Sequence, residues 1–258
     1  MNIIPALLLA CISSLAIAQT KKADAPIHEL RIYHHNSAEQ GKRLDAFLEK
    51  CVLPALHQQG LKDVGIFTAI SNDTAKARQT YMLISYSSLR KKLDIESKIM
   101  SDKWFIDAAK EFMDSARDKQ AYTRMEGMLM RGFRMFPGIR RPSLKGPREQ
   151  RIYELRSYES TNERLYWNKV EMFNEGGETT LFDRLGFNAV FYGEVFSGPR
   201  MPNLMYMTTF ENKADRDAHW QSFRDDAEWK QLSSNPKYQK NVSRSEIIFL
   251  RPTAYSDY

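Results

Sequence analysis

Ile152-Tyr153-Glu154-Leu155-Arg156-Ser157-Tyr158 decides the fold of this chain, because it is written twice. Ile27-His28-Glu29-Leu30-Arg31-Ile32-Tyr33 carries the same Glu-Leu-Arg-x-Tyr core 125 positions earlier, at residue 27 against residue 152. Self-similarity at one offset marks a duplicated unit. Two further matches keep that offset. Asp63-Val64-Gly65-Ile66-Phe67 falls on Asn188-Ala189-Val190-Phe191-Tyr192, and Trp104 falls on Trp229. A Pro/Gly/Arg stretch at 135–149 separates the copies.

Each copy reads alike. A strand with period-two alternation comes first, at 27–33 and 152–158. A helix follows, with Ser37 before Gln40 and Ser160 before Glu163 spaced as capping boxes. Leu44, Phe47, Leu48, Val52 and Leu56 mark its apolar face in the first copy. Pro54 and Gly176-Gly177 interrupt the two helices at the same depth, since proline removes a backbone donor and glycine frees the chain. Strands at 64–70 and 189–196, then 81–86 and 204–210, precede helical segments running to about Met113 and Leu232. Strands at 125–131 and 245–250 close the copies. The order is βαββαβ, the ferredoxin-like unit. The fold class expected is therefore α+β, with two tandem ferredoxin-like units at 26–134 and 150–252 joined by the basic Pro/Gly linker.

Such a unit covers one sheet face with helices and must cover the other by different means. On this reading Leu30, Ile32, Tyr153 and Leu155 point to the helices. Glu29, Arg31, Tyr33 and Glu154, Arg156, Tyr158 then point away, toward a second sheet that pairs their charges. The two units either supply both sheets of one barrel or each pair with a second chain.

The N-terminus differs from the rest. Met1 to Ala18 carries no charge, ends Ala16-Ile17-Ala18, and is followed by Lys21 and Lys22. That predicts a signal peptide over 1–18 and an exported, periplasmic or secreted protein. The run is too short and too interrupted, by Pro5, Ser13 and Ser14, for a spanning helix, and no transmembrane segment is expected. Leu8-Leu9-Ala10-Cys11 offers an alternative, a lipoprotein anchored through Cys11. Cleavage after Ala18 leaves Cys51 alone, in a helical apolar pattern that predicts burial. The net charge of +6 comes from 38 basic residues interspersed with 32 acidic ones. The local basic run from Arg131 to Arg151 reads as a solvated linker, and without a binding motif no nucleic-acid partner is expected.

The chain lacks a Gly-rich phosphate loop, a Gly-x-Ser-x-Gly elbow, a His-Glu-x-x-His and a Cys-x-x-Cys, which removes nucleotide hydrolysis, common hydrolases, zinc proteases and thiol redox chemistry. What remains is Glu154-x-Arg156-x-Tyr158, whose spacing lines up acid, guanidinium and phenol on one sheet face. The row can bind a carboxylate or orient a phenol, or serve as an ion pair that fixes register. Glu175-Gly176-Gly177-Glu178 sets carboxylates beside flexible backbone, and Glu178 is a candidate for a pocket mouth. Arg200, in the stiff loop Gly198-Pro199-Arg200-Met201-Pro202-Asn203, is a candidate anion clamp. Tyr206 completes the candidate ligand-binding set Glu154, Arg156, Tyr158, Glu178, Arg200 and Tyr206. No catalytic residue is assigned. Five histidines show no diagnostic ligand spacing, so no metal or cofactor is predicted, with haem the alternative.

Four segments resemble bacterial NIPSNAP proteins: residues 152–160, Phe173-Asn174-Glu175-Gly176-Gly177-Glu178, 198–207, and Leu250-Arg251-Pro252-Thr253-Ala254-Tyr255-Ser256. The first copy looks like a more diverged repeat of the same domain. The resemblance implies a dimeric α/β-barrel-type architecture and a homodimer. That superfamily holds cofactor-free monooxygenases, haem-handling proteins and members without known activity, so no reaction follows. Three functions stay open: binding of a small, partly apolar molecule between the sheets, a cofactor-independent monooxygenase or isomerase, and a non-enzymatic interaction protein of the cell envelope. A cavity of several hundred Å³ lined by Glu154, Arg156 or Tyr206 favours the first two. A filled interior with paired charges favours the third.

Overall fold

Strand β1 (Ile27–His35) opens the first half of the computed structural model, which describes residues 25–258. The expected signal peptide and Cys11 lie outside the described residues. The first half continues with α1 (Ala38–Phe47), a π-helical turn (Leu48–Val52), α2 (Leu53–Gln58), β2 (Gly65–Ala69), β3 (Arg78–Tyr86), α3 (Leu89–Ser101), α4 (Lys103–Met113) and β4 (Arg124–Gly132). The second half repeats the order with β5 (Ile152–Glu159), α5 (Glu163–Asn174), α6 (Glu178–Arg184), β6 (Phe191–Ser197), β7 (Asn203–Phe210), α7 (Lys213–Asp225), α8 (Ala227–Ser234) and β8 (Arg244–Pro252).

All eight strands pair antiparallel into one closed barrel in the order β1-β3-β2-β8-β5-β7-β6-β4. The seams that join the halves are β2–β8 and β4–β6. One chain therefore closes the barrel by itself, and among the described residues no sheet edge is left to template another strand. The ladder also refines the repeat. Leu30 pairs with Leu83 and Leu155 with Met207, and these pair on with Gly65 and Phe191. The match at β2 and β6 is thus one residue off the 125-residue offset.

The faces of β1 and β5 are the reverse of the expectation. Leu30, Ile32, Tyr153 and Leu155 fill the barrel interior, in one cluster with Phe67, Tyr81 and Met207. Tyr33 instead packs among the helices of the first half with Leu44, Phe47 and Ile95. The Glu-Arg-Tyr rows thus lie beneath helices, not against a second sheet. The physical reason is a count of partners. A barrel of eight strands has room inside for little more than side chains, so bulky apolar residues take it. The helices can offer lysine, arginine and tryptophan to buried acids.

Local chemistry sets the ends of the helices. Ser37 caps α1 and accepts from the Gln40 amide, while the Gln40 side chain accepts from the Asn36 amide. In the second half Asn162, not Ser160, is the cap of α5; Ser160 instead donates 2.6 Å to the Asn241 carbonyl. Gly177, at φ 87°, makes the left-handed turn that separates α5 from α6, a conformation that costs glycine nothing. Cys51 is buried, and its thiol donates to the Ala108 carbonyl.

The basic stretch between the halves straps across the fold. Arg140 pairs with Asp183, Arg141 with Asp63, and Arg148 donates to the Thr253 carbonyl. One barrel end is stoppered by the buried ring of Tyr258, 5.8 Å from Phe67. Near the start of β1, His28 hydrogen-bonds Ser85 at 2.9 Å. Burial pushes this imidazole down to about 4, against a smaller opposing effect of the Pro137 backbone.

Candidate functional site

Glu154 is fully buried in the middle of β5, where an unpaired carboxylate would cost several kcal/mol, roughly. Its partners come from two elements. Arg156, two residues along the same face, donates from Nε at 2.7 Å. Arg216 from α7 donates at 2.6 and 3.0 Å, and Trp220, one turn further on, donates from Nε1 at 2.9 Å. Burial alone would raise the Glu154 carboxyl, but the hydrogen bonds from Arg216 and Arg156 outweigh it and hold the group below the usual carboxylate range.

The same constellation continues along the face. The Arg156 guanidinium lies 3.7 Å from the Trp220 ring centroid, a cation–π contact that fixes its plane. Its Nη1 donates to Tyr158 Oη at 2.9 Å, and that hydroxyl lies 2.9 Å from Tyr206 Oη. Burial pushes the Tyr206 phenol well above its ordinary value, so it stays neutral and able to donate. On the other side Lys169 of α5 reaches Glu178 of α6 at 2.8 Å, both buried, and sits 4.7 Å over the Phe173 ring.

These groups border a cleft of about 300 Å³ between the helix pairs α5–α6 and α7–α8, floored by the outer face of β5. Its walls include Arg156, Tyr158, Lys169, Glu178, Arg216 and Trp220, with Arg224 and Trp229 also in the lining. The barrel interior, by contrast, keeps only an enclosed space of about 40 Å³ at the end opposite Tyr258, room for a few waters. Tyr81, Gln79, His34 and Arg200 line it. The ligand site expected between sheets is therefore absent among the described residues; the open space lies between sheet and helices.

Five of the six sequence candidates, Glu154, Arg156, Tyr158, Glu178 and Tyr206, come together here. Arg200 does not. It stands at the barrel end, paired with Glu246 and at φ 68°. Sequence reasoning missed Lys169, Arg216 and Trp220. The signal for Lys169 was a lysine between Tyr166 and Phe173 on the buried side of α5, and for the other two an arginine and tryptophan four apart on α7. His219, an alternative haem ligand on sequence, turns its ring to the Asp215 carbonyl and to Phe187.

A closed eight-stranded antiparallel barrel wrapped by helices defines an α/β-barrel protein, and solved structures share the architecture. A candidate monooxygenase from Fusobacterium nucleatum is 9% identical over 89% of this chain and 93% of its own, with TM-score 0.57. A second, from Lactobacillus acidophilus, is 10% identical over 89% and 94%, with TM-score 0.56. Residues 153–257, within the second half of the chain, match the NIPSNAP family model. A NIPSNAP family protein from Agrobacterium tumefaciens is 22% identical over 41% of this chain and 96% of its own, with TM-score 0.37. No curated protein matches the chain in sequence. The identities are low enough that the likeness to candidate monooxygenases bears on the fold alone.

Proposed function

We propose that this chain is a binding protein whose second half takes up a small, anionic, partly apolar molecule in the cleft between α5–α6 and α7–α8. The observation that carries this is a charge imbalance set in an aromatic frame. Arg156, Lys169, Arg216 and Arg224 outnumber the acids that meet them, Glu154, Glu178 and, on the solvent side of Arg216, Asp217 at 2.9 Å, and Tyr158, Trp220, Phe223 and Trp229 supply flat apolar surface. A cleft with convergent polar groups among aromatics is the general form of a small-molecule site, and a guanidinium already oriented by Trp220 loses little freedom on meeting a carboxylate.

The βαββαβ order and the matching strand order of the halves support reading each as a ferredoxin-like unit, with the first a diverged NIPSNAP copy. Export rests on residues 1–18 of the sequence. A homodimer is proposed through the exposed Leu93, Met100 and Trp104 of α3–α4, with sedimentation as its check. The filled interior weighs against a reaction inside the barrel.

The test uses 8-anilinonaphthalene-1-sulfonate, an anionic aromatic fluorophore. A saturable site is expected, weakened about tenfold by Arg224→Glu, which exchanges one attractive charge for a repulsive one at the rim. An affinity unchanged by that variant would exclude the cleft.

A further inference from the structure

A second cleft, sharing no lining residue with the first, opens where α5 meets the β4–β6 seam. It measures about 330 Å³ and is lined by Tyr166, Trp167, Phe196, Met201, Glu163 and Glu194, with Arg131 and Pro202 at its border. Three facts set it apart from ordinary surface. First, its apolar walls are exposed: Trp167 at 63%, Met201 at 49% and Phe196 at 37%. They converge from a helix, a strand and a loop, although large apolar side chains are seldom left in water together without a use. Second, two acids stand among them. Glu163, Tyr166 and Trp167 share one face of α5 by their spacing of three and four residues. Glu194 faces Arg131 in the ladder, yet among the described residues its carboxylate takes part in no ion pair. Burial raises its affinity for a proton, and Arg131 opposes that. Third, the first half shows that the fold does not require these residues. Counting from the starts of α1 and α5, Gly41 and Lys42 stand where the second half has Tyr166 and Trp167. By ladder position Thr68 and Ile70 stand for Glu194 and Phe196.

We propose that this cleft binds a small organic ammonium ion, held by the faces of Trp167, Tyr166 and Phe196 and by the carboxylates of Glu194 and Glu163. Aromatic faces carry negative potential and attract alkylammonium groups that are only weakly hydrated. A carboxylate without a partner of its own supplies the counter-charge, and Met201 gives polarisable contact to methyl groups. An anion would meet two acids here against one arginine. A purely apolar ligand would leave Glu194 desolvated without return.

Trp167 makes the site visible. Tryptophan emission of the full chain is titrated with choline chloride, with sodium chloride as the ionic-strength control and 3,3-dimethylbutan-1-ol as the neutral isostere. Saturable quenching by choline is expected, with the isostere weaker by about tenfold. Trp167→Ala is expected to abolish the response and Glu194→Gln to weaken it about tenfold, while Arg224→Glu in the other cleft leaves it unchanged. Both side chains reach solvent, so the variants are expected to keep the circular dichroism of the parent. Choline indistinguishable from sodium chloride, an isostere that binds as well, or a Glu194→Gln protein that binds choline unchanged would each overturn the proposal.

Discussion

The two halves of this barrel solve one problem with different side chains. Both place a Glu-Arg-Tyr row on the outer face of their first strand and roof it with helices. In the first half Glu29 is met by Arg31 at 2.8 Å and by Lys92 at 3.5 Å, and Glu96 closes the row by pairing with both cations. In the second half Trp220 occupies the place of Glu96, counting from the caps Ser88 and Asn212. An indole cannot neutralise a cation, so Arg156 and Arg216 share Glu154, and only Arg216 reaches a second acid, the half-exposed Asp217 at 2.9 Å. Deeper in, the first half buries Leu44 and Leu53 where the second buries Lys169 and Glu178. In the first half the row is fully paired. In the second the row keeps surplus positive charge, a buried ion pair beside it and a cleft above it. Two halves of like strand order leave one to carry the structural duty while the other departs from it.

The largest test of that contrast is Glu154→Ala, which strands two arginines and an indole in a buried site. Breaking such a pair costs about 3–5 kcal/mol, whereas Glu29→Ala, with Glu96 left to hold Arg31 and Lys92, is expected to cost roughly half. Urea denaturation of both variants decides it; equal losses would break the comparison.

Next in size is His28, which the second half replaces with Tyr153. Its folded pKa of about 4 lies below the ordinary 6.5, so the unfolded chain takes the proton first. Stability is whole above pH 6.5 and falls as pH drops toward 4, by about 3 kcal/mol in all. Glu154 adds its own loss from its ordinary 4.5 downward, overlapping the foot of that window and continuing as pH falls through its depressed pKa. Melting temperature followed against pH should show the first descent, and His28→Gln should remove it while leaving the second.

Lys169→Leu with Glu178→Leu gives the second half the residues of the first. Exchange of a buried ion pair for apolar side chains is neutral or stabilising by about 1–2 kcal/mol, and the anionic fluorophore is expected to bind several-fold more weakly. A destabilised double variant would mean the pair is needed for folding. Leu93→Asp, which installs the residue that α7 has as Asp217, is expected to dissociate the proposed dimer in sedimentation while changing the stability of the separated chain by no more than about 0.5 kcal/mol. A larger loss would show that the outer face of α3 is packed in the folded protein.

The sequence determined a good deal. Repetition of Glu-Leu-Arg-x-Tyr at one offset, with period-two alternation around it, fixes two βαββαβ copies, because side-chain period and hydrophobic pattern are local properties of the chain. The common face of Glu154, Arg156 and Tyr158 followed from spacing on a strand, and burial of Cys51 from its helical pattern. What only the tertiary structure decided is which face of each strand looks inward. Alternation divides a strand's residues into two sets but does not say which set meets helices, and both sets here hold aromatics. The choice is made by volume inside a closed barrel, which suits Leu30, Tyr153 and Leu155, and by the long-range partners Lys92, Arg216 and Trp220, more than sixty residues from the acids they satisfy.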